Sequence, residues 1–356
     1  MKLYLIGGFL GSGKTTAVAQ LSQQLIRDKI KVAVITNDQG DQQVDKAFIK
    51  SINIPAEEVS NGCFCCNFDD LGMKIQGLQN EYKPDVIIAE SVGSCTDLIA
   101  TIVKPLNHYY PQFDVVVSVF VDAVLLSSVI AGAARFFEAS VRYIFDKQIA
   151  ESDVLVVNKA DQVSRQQLNS IKTTLVSLYP NTEVLYQNSL DEEDISKWGC
   201  TINDFTPPHI RQSLNVDYDL YAEGEAQLAW LDKSIIINAD LENGFEIALS
   251  IMDTIVQAIH QKKLTIGHLK FFLETESHQV KISYTTLGNA RSPKLPEDEC
   301  KELKMLINAR VQTDPETLQH LIEEVIIQVS NDNCKIITDK TSSFKPGYPR
   351  PTHRLE

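Results

Sequence analysis

The segment that most constrains this chain is Gly8-Phe9-Leu10-Gly11-Ser12-Gly13-Lys14-Thr15, a match to G-x-x-x-x-G-K-[ST]. Residues 3–6, just before it, form a short apolar run that reads as a strand. Residues 14 to about 28, just after it, read as a helix. Few folds accept a strand, a glycine-rich turn and a helix start in that order. The glycines let backbone N–H groups turn inward around a polyphosphate, and the helix adds the positive end of its dipole. In such a loop Lys14 reaches the β- and γ-phosphates and the Thr15 hydroxyl ligates Mg²⁺. Gly8, Gly11, Ser12, Gly13, Lys14, Thr15 and Thr16 are the phosphate-binding candidates.

The rest of the N-terminal half repeats the alternation. Residues 32–36, 86–89, 115–121 and 154–157 are apolar and largely β-branched, with amphipathic stretches between them. Residues 184–186 fit a last strand. Runs apolar on both faces belong to a parallel sheet covered by helices on both sides. The expected fold is therefore α/β, doubly wound and mostly parallel, over residues 1–190.

Residues 191–213, with an acidic run and Pro207-Pro208, read as a linker. Residues 214–341 fit a smaller α+β domain, with strands expected at 234–238, 266–273, 280–286 and 304–311. Helices are expected at 243 to about 262 and from the Asp314-Pro315 cap to about 329. Residues 342–356 read as a Pro-rich tail.

Two domains suit a length of 356 residues. The 33 basic and 47 acidic residues give a net charge of −14, which argues against nucleic acid as a main partner. No apolar run reaches the roughly 20 residues that cross a bilayer. The expectation is a cytoplasmic protein with no membrane partner. Seven cysteines, three of them within four positions, read as thiols and not as a disulfide framework.

Asn158-Lys159-Ala160-Asp161 follows the run at 154–157. N-K-x-D at a late strand end is how P-loop GTPases read guanine. The Asp161 carboxylate accepts from guanine N1–H and the 2-amino group, and adenine offers neither donor. Adenine would leave that acid unpaired, at roughly 1–3 kcal/mol. The Lys159 stem covers the base plane. GTP and GDP are thus expected over ATP. Glu90 stands at the tip of the strand at 86–89, where an acid faces Mg²⁺ and the γ-phosphate. It would hold magnesium through a water or orient the attacking water, and the Gly93 N–H would sense the γ-phosphate. Asp122 also ends a strand.

The thiol cluster is Cys63, Cys65 and Cys66, between Gly62 and Asn67. In an extended strand Cys66 would point away from the other two, so convergence on one ion needs a turn here. Thiolates select Zn²⁺, Cu⁺ or similar ions. Three sulfurs leave a tetrahedral ion one ligand short, which suits a site that releases metal. Water, a client residue or a second copy of the chain in a homodimer could complete it. Asn67 and the acids after it resemble a helix cap. Cys95, Cys200, Cys300 and Cys334 read as core or surface thiols.

Taken together, the phosphate loop, Glu90-Ser91-Val92-Gly93, the C-x-C-C turn and N-K-A-D resemble the CobW-like GTPases, relatives of the UreG and HypB nickel chaperones. The resemblance runs through about residue 190, and the stretch from Phe344 to Arg354 also looks like a family feature. It implies a GTP-dependent metallochaperone that binds Zn²⁺ or Co²⁺ near switch I and passes it to a client metalloenzyme or corrinoid-related protein. The family's switch-I segment usually reads Glu-Asn-Glu-Phe-Gly; here it is Thr36-Asn37-Asp38-Gln39-Gly40. Asp38, Asp41 or Asp45 could take over from the missing acids. The catalytic candidates are Lys14, Glu90 and Asp38, with slow intrinsic hydrolysis. Two other readings keep the phosphate loop: a GTPase gatekeeper for a corrinoid- or metal-dependent enzyme without metal delivery, and a small-molecule kinase.

Overall fold

The parallel-sheet expectation is met by seven strands in the order β3-β2-β4-β1-β5-β6-β7, every neighbouring pair parallel. The computed structural model describes residues 1–40, 44–60, 62–133, 138–208, 211–285, 287 and 295–356. Its first elements are β1 (Lys2–Gly8), α1 (Lys14–Arg27), β2 (Val32–Asn37), α2 (Val44–Ser51), β3 (Ala56–Val59) and α3 (Phe68–Glu81). Next come β4 (Val86–Glu90), a π-turn (Ile99–Val103), α4 (Lys104–Tyr109), β5 (Asp114–Asp122), α5 (Ala123–Ile130) and α6 (Ala139–Ala150). The series continues with β6 (Val154–Asn158), α7 (Arg165–Leu178), β7 (Glu183–Gln187), α8 (Glu192–Asp204) and α9 (Tyr218–Ala226).

Strands β1, β2, β4 and β6 are buried almost throughout, whereas the edge strands β3 and β7 are partly exposed. That difference follows from helices on both faces of a parallel sheet. β1 lies between β4 and β5, with Ile6 opposite Glu90 and Gly8 opposite Phe120. The carboxyl ends of these central strands therefore meet, the place where open α/β sheets bind ligands.

The remaining elements are β8 (Ala229–Ala239), α10 (Gly244–Gln261), β9 (Ile266–Glu274), β10 (Gln279–Tyr284), β11 (Glu302–Val311), α11 (Pro315–Val329) and β12 (Cys334–Phe344). Their strands form an antiparallel sheet in the order β10-β9-β11-β8-β12. Ile235, Ile237, Phe271 and Ile307 share one core with Ile251 and Ile255 of α10 and Leu321 of α11. The alternate residues Phe272 and Leu306 pack instead on Val44 of α2.

Two units emerge. One comprises Met1–Gln39, Ile52–Gly224 and Tyr348–Glu356; the other comprises Gly40–Ser51 and Glu225–Gly347. Residues 214–224, expected in the second domain, and residues 348–356, expected as a tail, fall in the first unit. Three further differences each have a physical reason. Residues 192–204, expected as linker, form α8. The acidic run is its N-terminus: Asp191 Oδ1 accepts from the backbone N–H of Glu193 and Asp194, both at 3.0 Å. Ile195, Trp198 and Ile202 on α8 are fully buried. The Trp198 indole N–H donates to Ser118 Oγ at 3.0 Å, and its ring meets Phe120 edge-on. Residues 342–344, expected as tail, end the polar edge strand β12. The segment Gly40–Ser51 joins the second unit through α2, where the Asp45 carboxylate accepts from Lys270 at 2.5 Å and Lys281 at 2.7 Å. Burial opposes ionisation of Asp45, but the two lysines hold its carboxyl well below the usual range. Asp41 and residue 286, the end of an expected strand, lie outside the described residues.

Candidate functional site

The phosphate loop leaves β1 at Gly8 and enters α1 through Gly13. Gly13 has φ 92°, and a Cβ there would lie 2.3 Å from Asn158 Nδ2, so no other residue fits without displacing the base-side motif. Gly8 and Gly11 also have positive φ, 123° and 74°. Ser12 and Thr15 are buried and Thr16 is half-buried. Lys14 is only 6% exposed, and its ammonium donates to the carbonyls of Gly8 at 2.7 Å and Phe9 at 3.2 Å. It rests on the loop's own backbone. Thr15 Oγ1 donates to Glu90 Oε1 at 2.8 Å. A hydroxyl and a carboxylate so placed at a phosphate loop form a donor set that fits Mg²⁺.

The N-K-A-D segment is joined to the same loop. Asn158 Nδ2 donates to Ser12 O at 2.8 Å, while its Oδ1 accepts from Ser189 N at 3.0 Å and Ser189 Oγ at 2.8 Å. Lys159, in the left-handed region at φ 59°, donates to Gly11 O at 2.8 Å and to Asp122 Oδ2 at 2.6 Å. Asp122 also caps α5, accepting from Val124 and Leu125 N–H. Asp161 is exposed in the short turn Ala160–Gln162. Gly93 lies against the loop from β4's side: a Cβ on it would be 3.0 Å from Leu10 N.

The cysteine turn is a second cluster. Its backbone closes through Cys66 N and Asn67 N, each donating to Cys63 O at 3.0 Å. Gly62, at φ 144°, permits the entry; a Cβ there would stand 2.5 Å from Asn67 Nδ2. The three sulfurs lie within 4.8 Å of one another, with Cys63–Cys66 at 3.3 Å and Cys65–Cys66 at 3.8 Å. The turn is anchored by Asn37, at the end of β2. Its amide donates to Val59 O at 2.9 Å and Gly62 O at 2.8 Å, and its oxygen accepts from Phe64 N at 2.9 Å. Asn67 does occupy the N-cap position of α3, although its side chain makes no capping bond.

Protons are shared unevenly among these thiols. Hydrogen bonds from Cys65, Cys66 and Cys95 hold Cys63 well below the ordinary thiol range. Hydrogen bonding to Cys63 raises Cys65, and raises Cys66 to about 11. Cys63 and Cys65 are buried and Cys66 is partly exposed.

The stretch at 348–356, for which the sequence offered no physical account, clasps this turn. Arg350 N donates to Cys66 Sγ at 3.3 Å, Thr352 N to Cys65 O at 2.8 Å and Thr352 Oγ1 to Cys66 O at 2.9 Å. His353 meets the Phe68 ring edge-on. Arg354 Nε donates to the buried Asp97 carboxylate at 2.9 Å, which also accepts from the Tyr218 hydroxyl at 2.7 Å.

Not every expected residue joins these clusters. Asp38 is half-buried just past β2; its N–H donates to Val59 O at 3.4 Å and its Oδ1 accepts from Gln39 N at 2.8 Å. Asp45 is committed to the two lysines of the second unit. Sequence reasoning assigned no role to Asn37, Ser189 or the clasp. Asn37 stood in the segment that departs from the family pattern, and the clasp was marked only as a family-like stretch.

The family model for the CobW/HypB/UreG nucleotide-binding domain matches residues 2–186, just over half of the chain. The chain belongs to the CobW/HypB/UreG family. Among curated proteins it is 28% identical over 201 residues to a protein named zinc chaperone CobW from Sinorhizobium sp, covering 49% of this chain and 54% of that one. It is 27% identical over 213 residues to zinc-regulated GTPase metalloprotein activator 1 of Dictyostelium discoideum, covering 51% and 44%. It is 26% identical over 163 residues to zinc chaperone YeiR of Escherichia coli, covering 45% and 47%. The chain thus spans about half the length of the curated relatives it matches. Among solved structures, HypB from Helicobacter pylori in complex with nickel is 17% identical, with a TM-score of 0.42, covering 57% of this chain and 85% of that one.

Proposed function

We propose that this CobW/HypB/UreG family chain is a GTP-hydrolysing metallochaperone. It takes Zn²⁺ or Co²⁺ on Cys63, Cys65 and Cys66 and passes the ion to a client metalloenzyme or corrinoid-related protein. The observation that carries this reading is the convergence of three sulfurs within 4.8 Å on a turn tied by Asn37 to the strand end that opens switch I. Lys14 would exchange the carbonyls of Gly8 and Phe9 for the β- and γ-phosphates. Asp161 would accept from guanine, with the Lys159 stem along the base and Asn158 holding its motif to the loop. Thr15 and Glu90 would hold Mg²⁺, which when bound neutralises phosphate charge. Glu90 also lies at the strand tip from which a carboxylate orients an attacking water, and Asp38 would act from switch I. The Gly93 N–H would sense the γ-phosphate. Water, a client or a second copy of the chain would complete the coordination of a three-sulfur site.

Metal and nucleotide are then linked, each changing the other's affinity by the same factor. A chelator-competition titration of Zn²⁺ and Co²⁺, with Mg²⁺ and either GDP or a non-hydrolysable GTP analogue, tests this. The expected result is a stoichiometric site whose affinity differs at least about tenfold between nucleotides, or about 1.4 kcal/mol, and that Cys65→Ala with Cys66→Ala abolishes. A site indifferent to nucleotide, or untouched by those substitutions, sinks the gated chaperone and favours the partner-gating GTPase.

A further inference from the structure

The C-x-C-C turn contains a second pattern. Cys63 and Cys66 have the spacing C-x-x-C, which serves thiol–disulfide chemistry as well as metal binding. The fold brings this pair together, with Cys63 Sγ at 3.3 Å from Cys66 Sγ. Backbone bonds hold the arrangement. Cys66 N and Asn67 N both donate to Cys63 O at 3.0 Å, and Asn37 fixes Gly62 O and Phe64 N. Thr352 fixes the carbonyls of Cys65 and Cys66. An S–S bond is about 2.0 Å long, so closing one asks roughly 1.3 Å of approach, within reach of a side-chain rotation on an unchanged backbone. The other pairings are worse placed. Cys65 and Cys66 are 3.8 Å apart, but a bond between neighbours closes a small ring around a peptide group that resists leaving its planar trans form. Cys63 and Cys65 are both buried, so neither meets an oxidant from solution first. Cys66 is partly exposed and has Cys63 directly behind it.

We propose that Cys63 and Cys66 form a reversible disulfide that shuts the metal site when no ion occupies it. The role given to the bond rests on the metallochaperone reading above; the bond itself does not. The oxidant is a low-molecular-weight disulfide of the glutathione class. Cys66 Sγ, as thiolate, attacks one sulfur of that disulfide, and the S–S electron pair leaves with the other half. Cys63 Sγ then attacks the Cys66 sulfur of the mixed disulfide and expels the second half. The two cysteines give up two electrons and two protons, and the small disulfide takes them up as two thiols. Cys65 alone is left, and one thiol cannot hold an ion that asks for four ligands. A bound ion acts the other way. It engages both sulfurs as ligands and keeps them from each other. Oxidation therefore closes empty sites and spares loaded ones, and a thiol reductant reopens them.

The test treats the metal-free full chain with oxidised glutathione, alkylates the remaining thiols under denaturing conditions and weighs the peptide that carries the three cysteines. The wild-type peptide should be lighter by two hydrogens, with one alkylated cysteine and no glutathione attached, and a thiol reductant should restore all three thiols. Cys65→Ser should form the same bond. Cys66→Ser should form none, and Cys63→Ser should trap glutathione on Cys66. Circular dichroism checks that each variant folds. Three alkylated thiols in the wild-type chain overturn the proposal, and so does glutathione that stays on Cys66 there or a disulfide that persists in Cys66→Ser. One equivalent of Zn²⁺ added beforehand should slow the reaction on the order of tenfold or more. Equal rates with and without Zn²⁺ have a different meaning: the bond stands, but the metal reading and the gating drawn from it fall.

Discussion

The phosphate loop and the cysteine turn make similar demands on the backbone and meet them in opposite ways. The loop carries its own instructions: three glycines at positive φ, a lysine folded onto its carbonyls and the helix that continues it lie in consecutive residues. The turn does not. Gly62 and the closing bonds are local, but the turn is also held by Asn37 and by residues 350–352. A site fixed by its own sequence is difficult to adjust from elsewhere. A site assembled from distant segments responds whenever one of them moves, which suits the capture and release of an ion proposed above.

Substitutions can separate the two. The largest expected effect concerns the loop that follows β4. Glu151, buried beneath it, accepts from Thr96 Oγ1 at 3.2 Å and Ile99 N at 3.3 Å, and burial raises its carboxyl to about 8. A folded pKa above the unfolded one gives a contribution that is complete below about pH 4.5 and lost as pH rises through 8. At about 1.4 kcal/mol per pKa unit, the span is on the order of 5 kcal/mol. Glu151→Gln should flatten the slope of denaturant stability between pH 5 and 8. An equal slope in both proteins would mean that the loop does not rest on a protonated acid.

Lys14→Ala comes next. Losing a charged partner of the phosphates should weaken nucleotide binding on the order of a hundredfold, read by fluorescent-nucleotide titration. Zn²⁺ affinity without nucleotide should stay put, and a parallel loss there would break the comparison. Arg354→Ala removes one of two partners of the Asp97 carboxylate and should cost about 1–3 kcal/mol of stability. Zn²⁺ transfer to a chelator should quicken while nucleotide affinity holds. Thr352→Val, which deletes one bond to Cys66 O, should cost about 1 kcal/mol. Hydrogen exchange at Cys66 and Asn67 should speed up, with the amides of residues 11–15 unchanged.

The same contrast explains what could be read from sequence. The buried strands announced themselves because parallel-sheet residues are apolar on both faces, and the phosphate loop because its chemistry tolerates few substitutes. The N-terminus of α8 was misread because the acids that cap a helix look like a solvated linker when Trp198 is not yet known to be buried. β12 escaped because an exposed edge strand, Cys334–Phe344, has no apolar alternation to show. The C-x-C-C motif was plain, but neither Asn37 nor the clasp could be joined to it. Those contacts span the chain, and no local pattern records them.

The clasp also puts the site on a clock. Arg350 lies 284 positions after Cys66. A ribosome adding roughly 5–20 residues per second needs on the order of 15–60 s to cover that distance. Throughout that interval the nascent chain carries its cysteines without the segment that closes over them. The turn can therefore reach its finished form only after the chain has been made through Thr352.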